Sequence, residues 1–429
     1  MRSSAVAALI IFLYACSPVT PARLQKSLEA TERQFQDHTG FVLYDPEKGK
    51  TIVEFNGDRY FTPASNTKIF TLFASLRILG DSVPAVHYSQ KGDSLIFWGT
   101  GDPSFLYSEV TGDSTVYHFL VNAPQDLYFS QTNFHTTRFG SGWAWDDYNS
   151  RYSPERSPFP MYGNLVTVIA DHEILDIRPK TLAPDFITGA PRERARIDRS
   201  EFKNEFTAYP ADRITTVREL NVPFRADSTT IVKLLSDTLG RPVLHANEPL
   251  PQRRNTLYSV HVDSLYKVMM QESDNFIAEQ LLLLCAQVLT DSLKTEIAID
   301  YVKKHFLNDL VDEPVWVDGS GLSRYNLFTP RSIVQLWQKI DATIPRDRLF
   351  PLLATGGVSG TLRNWYRGET PFIFGKTGTL SNNHCLSGFL ITRKGKVLIF
   401  SFMNSNYVRS GTAIRQNMER ILRDIHEHY

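Results

Sequence analysis

The sequence is poor in cysteine and has no excess of either charge. Three cysteines occur in 429 residues, and 46 basic residues are balanced by 46 acidic ones. A surface that neutralises phosphates needs a cationic excess, so this balance argues against nucleic acid as the main partner. An apolar content of 42% with 21% charged residues indicates a packed globular protein rather than a disordered chain.

The N-terminal apolar run is too short to cross a bilayer. Residues 5–14 form this run and follow Arg2, as in the apolar region of a signal peptide. The run ends in Leu-Tyr-Ala-Cys, which resembles a bacterial lipobox. We therefore interpret residues 1–16 as a lipoprotein-type signal peptide with Cys16 as the lipidation site, and residues 17–23 as a tether. An ordinary secretory signal with an incidental cysteine is the alternative.

The other two cysteines, Cys285 and Cys385, both lie in apolar stretches. In an exported protein they could form a disulfide. Their apolar surroundings favour buried free thiols instead.

Helix and strand patterns at both chain ends bracket a different middle segment. Residues 83–251 are rich in Gly, Pro, Asp and Tyr, and short strand-like runs such as 94–98 and 165–170 alternate with turns. We predict an α+β fold with one discontinuous domain, residues 24–82 and 252–429, and one or two strand-rich domains inserted at 83–251. Predicted helices cover residues 24–37, 264–271, 276–289, 330–340 and 412–426. Predicted strands cover 40–44, 51–55, 372–376, 385–393 and 396–404.

Three short motifs combine serine, lysine and asparagine, and each is weak alone. Ser-x-x-Lys starts at Ser65, Ser200 and Ser264, Ser-x-Asn starts at Ser273 and Ser381, and Lys-Thr-Gly covers residues 376–378. Chance supplies such matches easily, so their structural context must decide between them.

Ser65 has a context that suits a nucleophile. It opens a helical pattern, so Lys68 shares its face of the helix. A partly desolvated lysine can take the serine proton, and a helix N-terminus favours the resulting negative charge. Taken alone, a helix cap is the commoner role for such a serine. The competing pairs lack this context: Ser200 lies in a charged stretch, and no later motifs follow Ser264 at suitable distances.

The later motifs supply complementary groups. Ser273 and Asn275 lie at a predicted turn between helices, where a hydroxyl and an amide can relay a proton and bind a peptide. Helix capping by Ser273 or Asp274 is the alternative. The Lys-Thr-Gly motif ends a predicted strand, where its lysine suits a carboxylate and its glycine allows close approach of a substrate backbone. The three motifs occur in one order on suitable elements, which favours a joint catalytic role.

In this order the motifs resemble those of the DacB-type D-alanyl-D-alanine carboxypeptidase/endopeptidases, the class C low-molecular-mass penicillin-binding proteins of peptidase family S13. The resemblance runs from residue 24 to the C-terminus and is weakest at 171–251. It implies a β-lactamase-like transpeptidase domain. Other stretches that are similar to the family are residues 99–104, 142–147, 318–324, 361–363 and 400–404.

The resemblance also implies roles. Ser65 would form an acyl-enzyme with Lys68 as general base, and the backbone N–H groups of Ser65 and Thr379 would form the oxyanion hole. The expected catalytic residues are Ser65, Lys68 and Ser273. The expected substrate-binding residues are Asn275, Lys376, Thr377, Gly378 and Thr379, with Lys376 and Thr377 on the terminal carboxylate.

The same resemblance implies partners and a location. Peptidoglycan peptides would be substrates, and β-lactam antibiotics would be covalent inhibitors. The protein would lie in the periplasm or cell envelope, held to a membrane through Cys16. The resemblance implies no metal and no cofactor.

Three other classes compete with a peptidase. In a class A β-lactamase the deacylating glutamate precedes an asparagine by four residues, but the position that precedes Asn221 in this way is Val217. A Tyr-x-Asn at residues 162–164 lacks a helical setting. A non-catalytic penicillin-binding sensor could lose Lys68 or Lys376, and both are present. A Ser-His-Asp esterase is not favoured, because no Gly-x-Ser-x-Gly occurs. We therefore expect slow turnover of acylated penicillin.

Overall fold

The computed structural model describes residues 19–111, 114–170, 173–213 and 217–429. The predicted signal peptide and Cys16 lie outside the described residues. Within the ranges described, no helix combines the length and the apolar character that a bilayer span requires.

Ten α-helices occur in the described residues. They are α1 (Pro21–Phe35), α2 (Thr67–Ile78), α3 (Thr115–Val121), α4 (Ser228–Leu239), α5 (Val262–Gln271), α6 (Asn275–Thr290), α7 (Thr295–Phe306), α8 (Pro330–Asp341), α9 (Arg346–Leu349) and α10 (Gly411–His428).

Seventeen strands accompany these helices in the part of the chain that is described. They are β1 (His38–Asp45), β2 (Lys50–Phe55), β3 (Ser82–Lys91), β4 (Ser94–Gly99), β5 (Asp126–Ser130), β6 (Leu165–Ala170), β7 (Ile174–Arg178), β8 (Phe186–Thr188), β9 (Arg196–Arg199), β10 (Phe206–Tyr209), β11 (Arg218–Pro223), β12 (Val243–Ala246), β13 (Asn255–His261), β14 (Ala354–Thr355), β15 (Ile373–Leu380), β16 (Asn383–Ile391) and β17 (Val397–Ser405).

The main sheet is assembled from both ends of the chain. Its six strands follow the order β14-β15-β16-β17-β1-β2, and neighbouring strands are antiparallel. Phe41 on β1 stands opposite Phe402 on β17, and their rings meet edge to face with 5.1 Å between centroids. This pairing brings the N-terminal and C-terminal segments together, and the predicted α+β class is confirmed.

Each face of this sheet buries a separate apolar core. One face packs against α1 and α10, where Leu28 and Leu422 meet the sheet around Phe400. The other face packs against a helical layer that includes α2, α6 and α8. Helix α2 is buried on every side from Thr67 to Ser75. Burying this helix places the residues at its N-terminus deep between the helical layer and the sheet.

Two predicted boundaries are wrong. The tether was predicted to reach residue 23, but α1 begins at Pro21, because Thr20 caps it by accepting a bond from the Arg23 N–H and proline fits the first helical position. The strand with the Lys-Thr-Gly motif was predicted to end at residue 376. It continues to Leu380, because β16 pairs with it along its whole length. The motif therefore lies inside a strand.

The middle segment holds more helix than its composition indicated. Helices α3 and α4 pack among three sheets, of which the largest has the order β12-β5-β4-β3-β13. Its last strand, β13, pairs with β3 although it lies beyond the predicted boundary at residue 251. The insert thus returns to the helical layer directly at α5, which carries the chain towards Ser273.

The two remaining cysteines are free and buried, as predicted. The Cys285 thiol lies against the Ser75 hydroxyl, and the Cys385 thiol lies against the Thr62 carbonyl. Burial raises the pKa of both thiols, so neither is a reactive thiolate at neutral pH.

Candidate active site

Ser65 lies in a 3-10 turn, Ala64–Asn66, that leads directly into α2. Ala64 has a φ of 48°, a left-handed conformation that costs a residue with a Cβ some free energy. A neighbouring loop holds this turn in place, because the Ala64 carbonyl lies only 1.9 Å from where a Cβ on Gly321 would stand. Only glycine at position 321 permits this approach, so the turn that carries Ser65 is tightly enclosed.

Lys68 lies one turn along α2 and is completely buried. Its ammonium donates to the Ser65 hydroxyl at 3.0 Å, the Asn275 side-chain oxygen at 2.6 Å and the Ser320 carbonyl at 2.6 Å. Burial lowers the pKa of Lys68 to about 8, against the opposing charges of Asp318 and other acids behind it. A lysine in this state can act as a base towards the hydroxyl that it touches.

Ser273 lies in the turn between α5 and α6, where its φ is 64°. Its hydroxyl accepts from the ammonium of Lys376 at 2.8 Å, and the same ammonium donates to the Thr377 carbonyl at 2.8 Å. Burial, followed by the nearby charge of Lys68, lowers the pKa of Lys376. The second and third motifs therefore meet through a direct bond.

The two residues after Ser273 have different tasks. Asp274 caps α6 by accepting from the Ile277 N–H at 2.8 Å, so the capping alternative holds for this residue. Asn275 accepts from Lys68 and donates to the Tyr152 carbonyl at 2.9 Å. Because both ends of its amide are engaged, Asn275 orients Lys68 in this arrangement.

Gly378 brings the third motif against the turn that carries Ser65. A Cβ at this position would stand 2.4 Å from the Pro63 carbonyl and 3.0 Å from the Ser65 nitrogen. Asn66 reinforces the contact by donating to the Lys376 carbonyl at 2.9 Å. The glycine was expected to admit a substrate backbone, but here it admits the protein's own turn.

The loop around Asp318 forms a second layer behind Lys68. The buried Asp318 carboxylate accepts five hydrogen bonds, from the Gly321 N–H (2.9 Å), the Ser323 N–H (2.7 Å), the Asn326 amide (2.7 Å), the Trp143 indole (2.9 Å) and the Ser320 hydroxyl (3.4 Å). These bonds fix the loop that presents the Ser320 carbonyl to Lys68. This Asp-Gly-Ser-Gly segment is similar to the family in sequence, but the sequence alone predicts no role for it.

Glu279 on α6 holds the same loop from the other side. Its carboxylate accepts from the N–H groups of Gly319 and Ser320 at 3.0 and 2.8 Å. Arg156, from the insert, binds its second oxygen with two N–H groups at 2.9 and 2.5 Å. Both side chains of the pair are buried. No sequence signal marked either residue, because their pairing depends on tertiary contact alone.

The competing motifs lie away from this cluster. Lys203 is exposed and pairs with Glu205, and Lys267 is exposed on α5. Asn383 follows the turn between β15 and β16 and donates to the Ser381 carbonyl. Of the three candidate Ser-x-x-Lys pairs, the one that begins at Ser65 lies with the other two motifs.

The sequence matches the D-Ala-D-Ala carboxypeptidase 3 (S13) family over residues 21–186 and 237–425. It is 23% identical to the D-alanyl-D-alanine carboxypeptidase DacB of Haemophilus influenzae, covering 86% of this chain and 85% of that protein. It is 25% identical to a D-alanyl-D-alanine carboxypeptidase of an Actinomadura strain, covering 86% of this chain and 78% of that protein.

The fold is also similar to a solved structure. The crystal structure of penicillin binding protein 4 (dacB) from Haemophilus influenzae superposes with a TM-score of 0.76 at 20% identity, covering 95% of this chain and all of that one. The expected β-lactamase-like domain with an insert is therefore the fold of this chain.

Breaking the buried ion pair should destabilise the protein strongly. We expect Arg156→Ala to lower the free energy of unfolding by about 3–5 kcal/mol, because it leaves the Glu279 charge buried without its partner. Denaturant unfolding measures this. Arg151→Ala is the matched control, since its pair with Glu109 is exposed and should contribute about 0–1 kcal/mol. Equal losses of unfolding free energy in the two variants would contradict the assignment of Arg156 and Glu279 as a stabilising buried ion pair.

Proposed function

The chain belongs to the D-Ala-D-Ala carboxypeptidase 3 (S13) family, and we propose that Ser65 is the nucleophile with which it hydrolyses D-Ala-D-Ala peptides of the cell wall. The enzyme is a serine-type peptidase. The observation that carries the assignment of Ser65 is the contact of its hydroxyl with a buried lysine, whose hydrogen-bond partners among the described residues include no carboxylate.

Lys68 is the general base in this proposal. In its neutral form the amine accepts the Ser65 proton while the serine oxygen attacks the carbonyl carbon of the penultimate D-alanine. The tetrahedral intermediate then expels the amine of the last residue. Ser273 passes a proton to that amine and regains one from the neighbouring lysines, so the proton that Lys68 took from Ser65 is returned to the leaving group. The product is an ester on Ser65. Water hydrolyses the ester and restores the serine.

The negative charge of the intermediate needs donors beside Ser65. The backbone N–H groups of Ser65 and Thr379 are suited to this role, because Gly378 holds β15 against the turn of Ser65. One such donor contributes about 3–4 kcal/mol to transition-state stabilisation. Thr377, whose hydroxyl contacts that of Thr361 at 2.7 Å, would bind the substrate's terminal carboxylate in the positive potential of Lys376.

The substrate is peptidoglycan, and the reaction includes release of terminal D-alanine, cleavage of cross-links, or both. Enzymes of this type act in the cell envelope. We further propose that the chain is exported to the periplasmic side and held to a membrane by a lipid on Cys16, on the basis of the lipobox-like segment. β-Lactams would acylate Ser65 because they mimic the D-Ala-D-Ala end.

Incubation with benzylpenicillin should place one covalent adduct on Ser65. Intact-mass and peptide mass spectrometry measure the adduct and its position. Ser65→Ala should abolish both the adduct and peptide hydrolysis, because no other hydroxyl contacts Lys68 among the bonds found in the described residues. Ser264→Ala is the matched control and should acylate normally. An adduct on Ser200 or Ser264, or turnover of penicillin as fast as that of peptide, would refute the proposal.

The rate of acylation should depend on pH through Lys68. Its pKa is lowered to about 8, so the neutral base is the minor form at lower pH and the major form above it. We expect the second-order rate constant of acylation to rise about tenfold per pH unit well below this pKa and to level off above it. Stopped-flow acylation across this range measures the profile, and a rate independent of pH would contradict the role of Lys68.

Gly378→Ala should impair acylation without preventing folding. The added Cβ would stand 2.4 Å from the Pro63 carbonyl, so β15 must move away from Ser65 and displace the Thr379 N–H. A shift of this kind is expected to slow acylation about 100-fold. Gly80→Ala is the control, since nothing lies within 4 Å of its added Cβ. Normal acylation by the Gly378 variant would exclude the proposed geometry.

A further inference from the structure

A pocket lies beside the outward-facing side of β15, separate from the contacts of Lys376. It encloses about 240 Å³, and its lining includes Thr377, Thr379, His384, Trp365 and Arg415. Arg415 comes from α10 near the C-terminus, a part of the chain to which the sequence comparison assigned no function. The pocket therefore joins two motif threonines to a cation from a distant segment.

The pleat of β15 explains why the threonines face this pocket. Successive side chains of a strand point to opposite faces. Lys376 and Gly378 lie on the face of the nucleophile turn, so Thr377 and Thr379 lie on the other face. In the register with β16, Thr379 stands opposite His384, which also lines the pocket.

Arg415 has no anionic partner among the described residues. Its Nε is buried and makes no hydrogen bond, and no carboxylate in the described ranges lies within ion-pair distance of its guanidinium. Glu419, one turn further along α10, pairs with Arg423 instead, at 2.9 Å. His384 stays neutral beside it, because burial and the charge of Arg415 lower the pKa of His384 to about 3.

The guanidinium is nevertheless held in place. Its carbon lies over the ring of Trp365, 5.7 Å from the centroid. Such stacking limits the conformations of arginine while leaving its N–H groups free to bind in the plane of the guanidinium. An oriented cation without an anion, in a pocket that also contains the side chains of Thr377 and Thr379, is suited to a carboxylate ligand.

We propose that Arg415 binds the free carboxylate of the residue that leaves after cleavage, and so makes the enzyme selective for leaving groups with a carboxylate next to the scissile nitrogen. This inference rests on the proposed function. The carboxyl carbon lies one residue beyond the scissile carbonyl, and a strand advances about 3.3 Å per residue. A substrate that runs antiparallel to β15, with its carbonyl oxygen at the Thr379 N–H, has its carboxylate towards Thr377 and the pocket.

Lys376 cannot serve this carboxylate alone. It is fully buried on the opposite face of β15, and its ammonium is engaged by Ser273 and the Thr377 carbonyl. Arg415, in contrast, lines the pocket directly. The carboxylate of a β-lactam would bind in the same place as that of the peptide.

The test compares two substrates that differ only in this carboxylate. An N-acylated peptide that ends in D-Ala-D-Ala is measured beside the same peptide with a C-terminal amide. Arg415→Gln should lower kcat/KM for the acid by about 10- to 100-fold, the range for loss of one charge-assisted pair. It should change kcat/KM for the amide little, so the preference for the acid collapses. Arg415→Lys should retain part of this preference.

Arg420→Gln is the matched control, because Arg420 lies on the same helix, is exposed and bonds only to Asn417. This substitution should leave kcat/KM unchanged for both the acid and the amide peptide. Acylation by benzylpenicillin and by its methyl ester provides a second readout, and only the free acid should react more slowly with the Arg415→Gln variant.

The outcomes separate the two proposals. If the unaltered enzyme hydrolyses neither peptide and its Ser65 is not acylated, the proposed function fails. If hydrolysis requires Ser65 but the Arg415→Gln variant keeps the preference for the acid, only the role of Arg415 is overturned. An equal loss of kcat/KM for the acid and the amide would indicate a structural role of Arg415. That result would also overturn its proposed role in carboxylate binding.

Discussion

The burial of the Lys68 ammonium among neutral acceptors is the constraint on which the site depends. A charge removed from water without a carboxylate beside it is costly, and the cost appears here as a lowered pKa. A direct ion pair would hold the proton on the lysine and remove the base. The serine hydroxyl, an amide oxygen and a carbonyl stabilise the cation just enough to keep it buried.

The acidic residues that offset the charge of Lys68 lie behind its direct hydrogen-bond partners. Asp318 and Glu279 raise the pKa of Lys68 from a distance, while their oxygens are bound by the loop N–H groups. The insert contributes to both, since Trp143 donates to Asp318 and Arg156 binds Glu279. A segment remote in sequence from the motifs therefore supports the proposed base, so the insert forms part of the candidate site.

The sequence predicted the motif residues of the site better than the residues that hold them in place. Ser65, Ser273 and Lys376 could be predicted because each belongs to a short pattern tied to one local structure. Arg156 and Glu279 could not, because the contact between them is made only by folding. The predicted end of the strand at residue 376 was wrong because Gly378 weakens the local strand pattern, whereas pairing with β16 continues to Leu380.

The side chains of β15 alternate between two faces, and each face has a different role in the proposed site. Its inward face holds Lys376 and Gly378 against the serine turn, and its outward face gives two threonines to the pocket of Arg415. A slip of one residue would exchange the faces. Gly375 and Gly388 oppose this slip, because they stand opposite each other and a Cβ on either would lie within 2.3 Å of a backbone oxygen of the paired strand. This close glycine pair favours a single register, and that register keeps the proposed catalytic contacts and the proposed carboxylate site on opposite sides of one strand.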